Sequence, residues 1–184
     1  IHVEHLECKT KSDSEVLIRL YQKYGFDFLN KLNGMFSFCI YDMKKELYFC
    51  ARDRYGKKPF FYYFKDKKFI FSSSIKSILN LLDYKPNLNK VAVSKYMQYF
   101  VSFGEDTFYQ DIYKLESATY MIYEPNKPFE LQKKKYYKIN TYKAIKDEKQ
   151  ALNDIEELLI KSVEFRLKSD VEVASLLSGG IDSS

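Results

Sequence analysis

The stretch Met35-Phe36-Ser37-Phe38-Cys39-Ile40-Tyr41-Asp42-Met43-Lys44-Lys45-Glu46-Leu47-Tyr48-Phe49-Cys50-Ala51-Arg52 reads as two strands joined by a polar turn. Aromatic and β-branched side chains fill Met35 to Asp42 and Leu47 to Arg52, and the Lys44-Lys45 pair interrupts them where the chain must reverse. Two further runs, Phe60 to Phe64 and Phe69 to Ser72, flank the turn Lys65 to Lys68. Four strands in succession predict an antiparallel sheet.

Working outward, Ser12-Asp13-Ser14-Glu15 has the Ser-x-x-Glu form of a capping box ahead of Val16, Leu17, Leu20, Tyr21 and Tyr24 at helical spacing. A helix from about Ser14 to Tyr24, closed by Gly25, is expected. Phe28, Leu29 and Leu32 suggest a second short helix, and Asn33-Gly34 turns the chain into the first strand. Downstream, Ile75, Ile78, Leu79 and Leu82 mark a helix stopped before Pro86, Val91 to Phe100 reads as another, and Thr119 to Tyr123 as a strand. Pro125-Asn126-Lys127-Pro128 and Lys133-Lys134-Lys135 look like exposed connection, so the expected organisation is a first domain over 1–125, a connection over 126–146 and a second piece over 147–184. In that last piece Leu152, Ile155, Leu158, Leu159 and Val163 put an apolar stripe on a helix from about Glu148 to Leu167. Val171 to Leu177 then resembles a buried parallel strand leading into Ser178-Gly179-Gly180.

Composition narrows the classes. A chain of 184 residues has room for one domain, or for an incomplete domain plus a piece of another. With 46% hydrophobic residues, 17 Tyr and 15 Phe, disorder is a poor description, and 6 Gly with 4 Pro exclude collagen-like and low-complexity chains. No apolar run reaches the ~20 residues needed to span a bilayer, and no signal-peptide pattern opens the chain, so a cytoplasmic protein without membrane attachment is expected. The net charge of +5 is spread among acids, as in Lys65-Asp66-Lys67-Lys68, which reads as solvated surface. A basic nucleic-acid-binding module remains a fallback reading; nucleic acid is not the expected partner. Cys8, Cys39 and Cys50 have neither disulfide-framework nor zinc-ligand spacing and are expected as reduced thiols. The first residue is Ile1, and the last seven are a glycine turn leading into nothing; a fragment cut at both ends is the expectation.

The string Ser178-Gly179-Gly180-Ile181-Asp182-Ser183-Ser184 has a mechanical reason for each residue type if it receives a phosphate chain. Glycines lacking Cβ let backbone N–H groups approach an anion, hydroxyls add donors, and a helix following the loop would aim its positive end at the same place. Asp182 would be placed to hold Mg2+. No Gly-Lys-Ser/Thr follows, so this is not a Walker A loop. The alternative is an ordinary strand-to-helix turn with Ser or Asp as N-cap.

These seven residues resemble the pyrophosphate-binding loop of the ATP-pyrophosphatase family, and Leu176 to Ser184 is similar to the loop of glutamine-hydrolysing asparagine synthetases. Lys11-Ser12-Asp13-Ser14-Glu15-Val16-Leu17, Leu32-Asn33-Gly34-Met35-Phe36-Ser37-Phe38 and Ala51-Arg52-Asp53-Arg54-Tyr55-Gly56-Lys57-Lys58-Pro59 resemble, in the same order, the later half of that family's glutaminase domain. The resemblance implies a ligase of asparagine biosynthesis, an amino-acid biosynthetic enzyme. Its fold would be α+β, an incomplete N-terminal-nucleophile-type (αββα) glutamine amidotransferase domain, followed by the start of an α/β Rossmann-like synthetase domain. The implied activity uses ATP and Mg2+, with glutamine and aspartate or another carboxylate as substrates. It would give asparagine, AMP, pyrophosphate and glutamate. A homodimer of the full-length protein is left open.

The resemblance carries over only some site residues. Asp13 matches the position whose carboxylate binds the α-amino group of glutamine; read alone, it is as well explained as a helix cap. Leu177, Ser178, Gly179, Gly180, Asp182, Ser183 and Ser184 match the ATP-binding positions, with Asp182 as the metal contact. No residue matches the nucleophilic cysteine, so no catalytic residue is assigned and the isolated chain is expected to be inactive. Arg52, Asp53, Arg54 and Gly56 are expected to support the sheets, with Gly56 at a positive φ, and Lys57-Lys58 to be solvated. Two departures stand out: Ser74 lies where the family usually carries Glu, and Leu115-Glu116-Ser117-Ala118 lacks the usual Pro-Pro-Gly. A relative that amidates a different carboxylate, such as a sugar acid, or closes a β-lactam ring, fits the same residues.

Overall fold

The computed structural model describes residues 8–10, 12–141, 147–167, 169 and 171–181. It divides into two compact units, 1–139 and 140–184. In the first, helix α1 (Asp13–Tyr24) starts at Ser12, whose side chain accepts from the Ser14 N–H, and ends at Gly25, whose φ of 58° brings its N–H back to the Tyr21 carbonyl. The short helix expected next is a 3-10 turn, Gly25–Lys31, that buries Phe28 and Leu29.

Among the described residues seven strands follow: β1 (Ser37–Asp42), β2 (Leu47–Arg52), β3 (Phe61–Lys65), β4 (Lys68–Ser72), β5 (Ile112–Lys114), β6 (Thr119–Tyr123) and β7 (Leu131–Lys135). They form two antiparallel sheets, ordered β1-β2-β6-β7 and β4-β3-β5. The four successive strands read from the sequence therefore divide between two sheets rather than forming one. Strand β2 explains why. Leu47, Phe49 and Ala51 pack on one side with Leu20, Tyr21 and Phe28, whereas Cys50 on the other side packs with Phe60, Tyr62, Leu115 and Met121. A strand apolar on both faces needs a covering layer on each. The 3-10 turn and α1 supply one layer, and the β3–β4 hairpin supplies the other. A third cluster, Tyr63, Ile78 and Ile112, seats helix α2 (Ile75–Leu79) on the far side of the second sheet. The layers run helix, sheet, sheet, helix.

Helix α3 (Lys90–Tyr99) begins at Asn89, whose Oδ1 accepts from the Ala92 N–H at 3.1 Å. Strand β5 escaped the sequence reading because three residues carry no periodicity. The expected connection over 126–146 is corrected, since β7 pairs with β6 from Thr119↔Lys135 to Tyr123↔Leu131 and carries the sheet past residue 125. Its lysines give an exposed edge strand the charge that discourages pairing with other chains. Lys133 also donates to the Tyr62 hydroxyl at 3.2 Å and pairs with Glu105, tying the edge of one sheet to the other.

The residues ending β2 hold these layers in register. The Arg52 guanidinium donates to the carbonyls of Leu115 at 2.6 Å, Gly56 at 2.6 Å and Lys58 at 2.8 Å. Asp53, 1% exposed, accepts the N–H groups of Tyr55 at 3.1 Å, Lys57 at 2.9 Å and Lys58 at 3.0 Å. Its own N–H donates to the Phe36 carbonyl, and its carbonyl accepts from the Ala118 N–H, each at 2.9 Å. Gly56 sits at φ 64°, and a Cβ there would lie 3.0 Å from the Arg52 guanidinium carbon. The expected supporting role of Arg52, Asp53 and Gly56 is thus observed, and Lys57 and Lys58 are exposed.

In the second unit, helix α4 (Glu148–Arg166) starts at Asp147, whose Oδ1 accepts from the N–H groups of Lys149 and Gln150. Its stripe of Leu152, Ile155, Leu158, Leu159 and Val163 is exposed. The strand expected over 171–177 does not form: the segment belongs to no helix or strand and is exposed, with Leu176 at 97%. A parallel strand closes its hydrogen bonds only on neighbouring strands, and among the described residues of this unit there is none. Among the described residues no helix is long and apolar enough to cross a membrane.

Replacing Arg52 by Met keeps the buried stem and strips three carbonyls of their charged donor. We expect a loss of about 2–4 kcal/mol, read as a lower urea midpoint at unchanged slope. A midpoint equal to wild type would contradict the role given to the guanidinium.

Candidate functional site

Asp13 is the first residue of α1 and is exposed. Helix α1 is buried toward its C-terminal end, where Leu20 and Tyr21 pack against the first sheet, and its first residues are exposed. The expected capping box does not close as written. Glu15, instead of reaching back to the Ser12 N–H, accepts the Lys9 N–H at 2.9 Å, and the Thr10 N–H and hydroxyl, each at 2.7 Å. The Thr10 hydroxyl in turn accepts from the Ser12 N–H at 3.3 Å. The loop entering α1 is therefore folded onto the helix by Glu15, a residue the sequence reading used only as a cap. The signal was present in Thr10, a hydroxyl two residues before the N-cap, but its partner could not be chosen without coordinates.

These donors, the Lys9 N–H foremost, then the Thr10 hydroxyl and N–H, hold the Glu15 carboxyl at about 2, below its ordinary 4.5. A depressed carboxyl keeps its folded-state advantage above the ordinary value and loses it as pH falls through the folded one. The tether should stay intact at pH 4.5 and open only as pH approaches 2. A carbon-detected NMR titration of the Glu15 carboxyl should give a midpoint near 2; a midpoint near 4.5 would show that the loop is not held this way.

The second candidate site is the loop at Leu177, Ser178, Gly179 and Gly180, all exposed, in the other unit. Gly179 adopts φ 75°, the left-handed region, and a Cβ there would meet nothing within 4 Å. Asp182, Ser183 and Ser184 lie outside the described residues, so the proposed metal contact is among them. Among the described residues no cluster of three or more His, Cys, Asp or Glu is arranged for a metal. The space a Cβ would fill at Gly179 is thus open, and the residue before it, Ser178, carries a hydroxyl. Ser74 caps α2 without a side-chain hydrogen bond of its own, and its N–H donates to Ser72 Oγ at 3.1 Å. Ala118 takes φ 56°, held by its N–H donating to the Asp53 carbonyl and by the Tyr136 N–H donating to its own carbonyl.

Residues 1–137 match the family model described as a glutamine amidotransferase domain, and residues 154–184 match that described as asparagine synthase. A Methanocaldococcus jannaschii protein, provisionally named a glutamine-hydrolysing asparagine synthetase, is 42% identical over 98% of the chain and 35% of its own length. The Bacillus subtilis glutamine-hydrolysing asparagine synthetase 3 is 33% identical over 94% of the chain and 28% of its own length. The amidase chry2 of Gibberella zeae is 34% identical over 94% of the chain and 26% of its own length. The chain thus spans roughly a quarter to a third of the curated relatives it matches. With the model covering both sheets and the helix that bears Asp13, the chain belongs to the glutamine amidotransferase family, continued at its end by a segment of the asparagine synthase family.

Proposed function

We propose that this chain is the later part of the glutaminase domain and the first part of the synthetase domain of a glutamine-dependent asparagine synthetase. The tandem order of the two family matches on one chain carries the reading. The helix–sheet–sheet–helix layering of 1–139 supports an N-terminal-nucleophile-type glutaminase, and the stretch from Asp147 onward is the proposed entry to a Rossmann-like domain. The relatives named for asparagine synthesis suggest a cytoplasmic ligase.

In this mechanism Asp13 accepts hydrogen bonds from the α-ammonium of glutamine, and the Glu15 tether keeps the loop before it from collapsing onto that carboxylate. The first domain's task is to release ammonia. Leu177 to Gly180, with Asp182, Ser183 and Ser184, would cradle the phosphate chain of ATP, and Asp182 would hold Mg2+. Bound ATP with Mg2+ supplies the activation of the acceptor carboxylate that ammonia then converts to an amide. The acceptor could equally be a carboxylate other than aspartate, a reading favoured by the match to the fungal amidase over the same part of the chain.

In the full-length protein, Asp13→Asn should raise KM for glutamine roughly 10- to 100-fold, the worth of one charge-assisted hydrogen bond, while leaving ammonia-dependent synthesis at wild-type rate. Equal loss with glutamine and with ammonia would overturn the assignment of Asp13. Asp182→Asn should abolish pyrophosphate release and leave glutamine hydrolysis measurable; pyrophosphate release at wild-type rate would overturn the loop assignment.

A further inference from the structure

Two of the three cysteines face each other. Cys39 in β1 and Cys50 in β2 are direct partners in the antiparallel register. Opposed residues project from the same face of a sheet, and this face looks into the cluster between the two sheets. Cys50 is wholly buried there beside Phe60, Tyr62 and Met121, while Cys39 packs against the same cluster and is partly exposed.

Geometry allows them to be joined. Opposed residues in an antiparallel ladder hold their Cα atoms about 4.5 or about 5.5 Å apart, and both spacings fall inside the roughly 4.4–6.8 Å that a disulfide bridges. Access is one-sided. Strand β1 is the edge of its sheet among the described residues, and Cys39 there is partly open to solvent. Cys50 has no such opening, and burial, then its contact with Cys39, pushes its thiol well above the ordinary value.

We propose that Cys39 and Cys50 are a site of reversible covalent modification, closing to a cross-strand disulfide by exchange with a low-molecular-weight disulfide such as oxidised glutathione. The Cys39 thiolate attacks one sulfur of the reagent, forming a protein–glutathione disulfide and expelling one glutathione thiolate. The Cys50 sulfur then attacks the Cys39 sulfur, forming the Cys39–Cys50 bond and expelling the second glutathione thiolate. The two protein thiol protons pass to the two leaving thiolates. Two protein thiols are thereby oxidised to one cystine, and one oxidised glutathione is reduced to two thiols. The bond ties the edge strand to its neighbour across the hairpin; Cys8, ahead of α1, takes no part.

The test uses the 184-residue protein equilibrated with oxidised glutathione, then unfolded, alkylated with a maleimide and mapped by mass spectrometry. Alkylated cysteines should fall from three to one, Cys8 alone, with a linked Cys39–Cys50 peptide, and dithiothreitol should restore all three. In Cys50→Ser, Cys39 should take up one glutathionyl group and keep it. Three alkylated cysteines in the oxidised wild type, a wild-type Cys39 left glutathionylated beside a free Cys50, or a bridge that includes Cys8 would each overturn the proposal. An unmodified Cys39 in Cys50→Ser would overturn its assignment as the point of entry.

Discussion

Arg52 and Asp53, adjacent at the end of β2, are the interaction on which the two-sheet arrangement depends. Neighbouring residues in an extended chain point in opposite directions, so one position can serve two surroundings. Arg52 collects carbonyls from the 56–58 turn and from Leu115 after β5, while Asp53 collects the N–H groups of the same turn. The Asp53 backbone adds Phe36 before β1 and Ala118 before β6. Tyr136, after β7, closes the set by donating its hydroxyl to the Arg52 carbonyl at 2.9 Å. Burial lowers the Arg52 pKa and the charge of Asp53 opposes that shift. The cost of placing a guanidinium inside is met by hydrogen bonds to carbonyls that would otherwise be unpartnered.

The candidate glutamine site is carried by the same scaffold at one remove. Helix α1 rests on the first sheet through Leu20 and Tyr21, and Tyr21 donates to Asp42 at 2.8 Å, where β1 turns into β2. The N-terminal turn of that helix is exposed, and Glu15 holds the loop that leads into it. The group that fixes the loop, Glu15, is thus a different residue from Asp13, the group proposed to meet the substrate.

Much of the first unit was legible because its residues obey one local rule at a time. The edges of β2 and β6 coincide with the sequence expectation, since each is bounded by a turn and filled by aromatic or β-branched groups. What escaped needed partners. Strand β5 is three residues long, and the lysines of β7 read as solvent-facing connection until β6 is placed beside them. The opposite error occurred at 171–177, where an apolar run met the requirements for a buried strand but found no strand to pair with. At the candidate sites, residue types were readable: Asp13 at a helix start and glycines in the 178–180 loop. The role of Glu15 was not, because a carboxylate three residues into a helix can satisfy either the N-cap or the loop before it.

The central structural claim is that the Arg52–Asp53 node closes both sheets. Amide hydrogen exchange at Tyr55, Lys57 and Lys58 tests it most directly, because these N–H groups belong to a short turn in which Tyr55 and Lys57 are exposed residues, and the buried Asp53 carboxylate accepts from each of them. Protection matching that of Cys50 in the middle of β2 is the expected result, since opening the turn would require undoing the sheets. Exchange near the unprotected rate, with β2 still protected, would contradict the account.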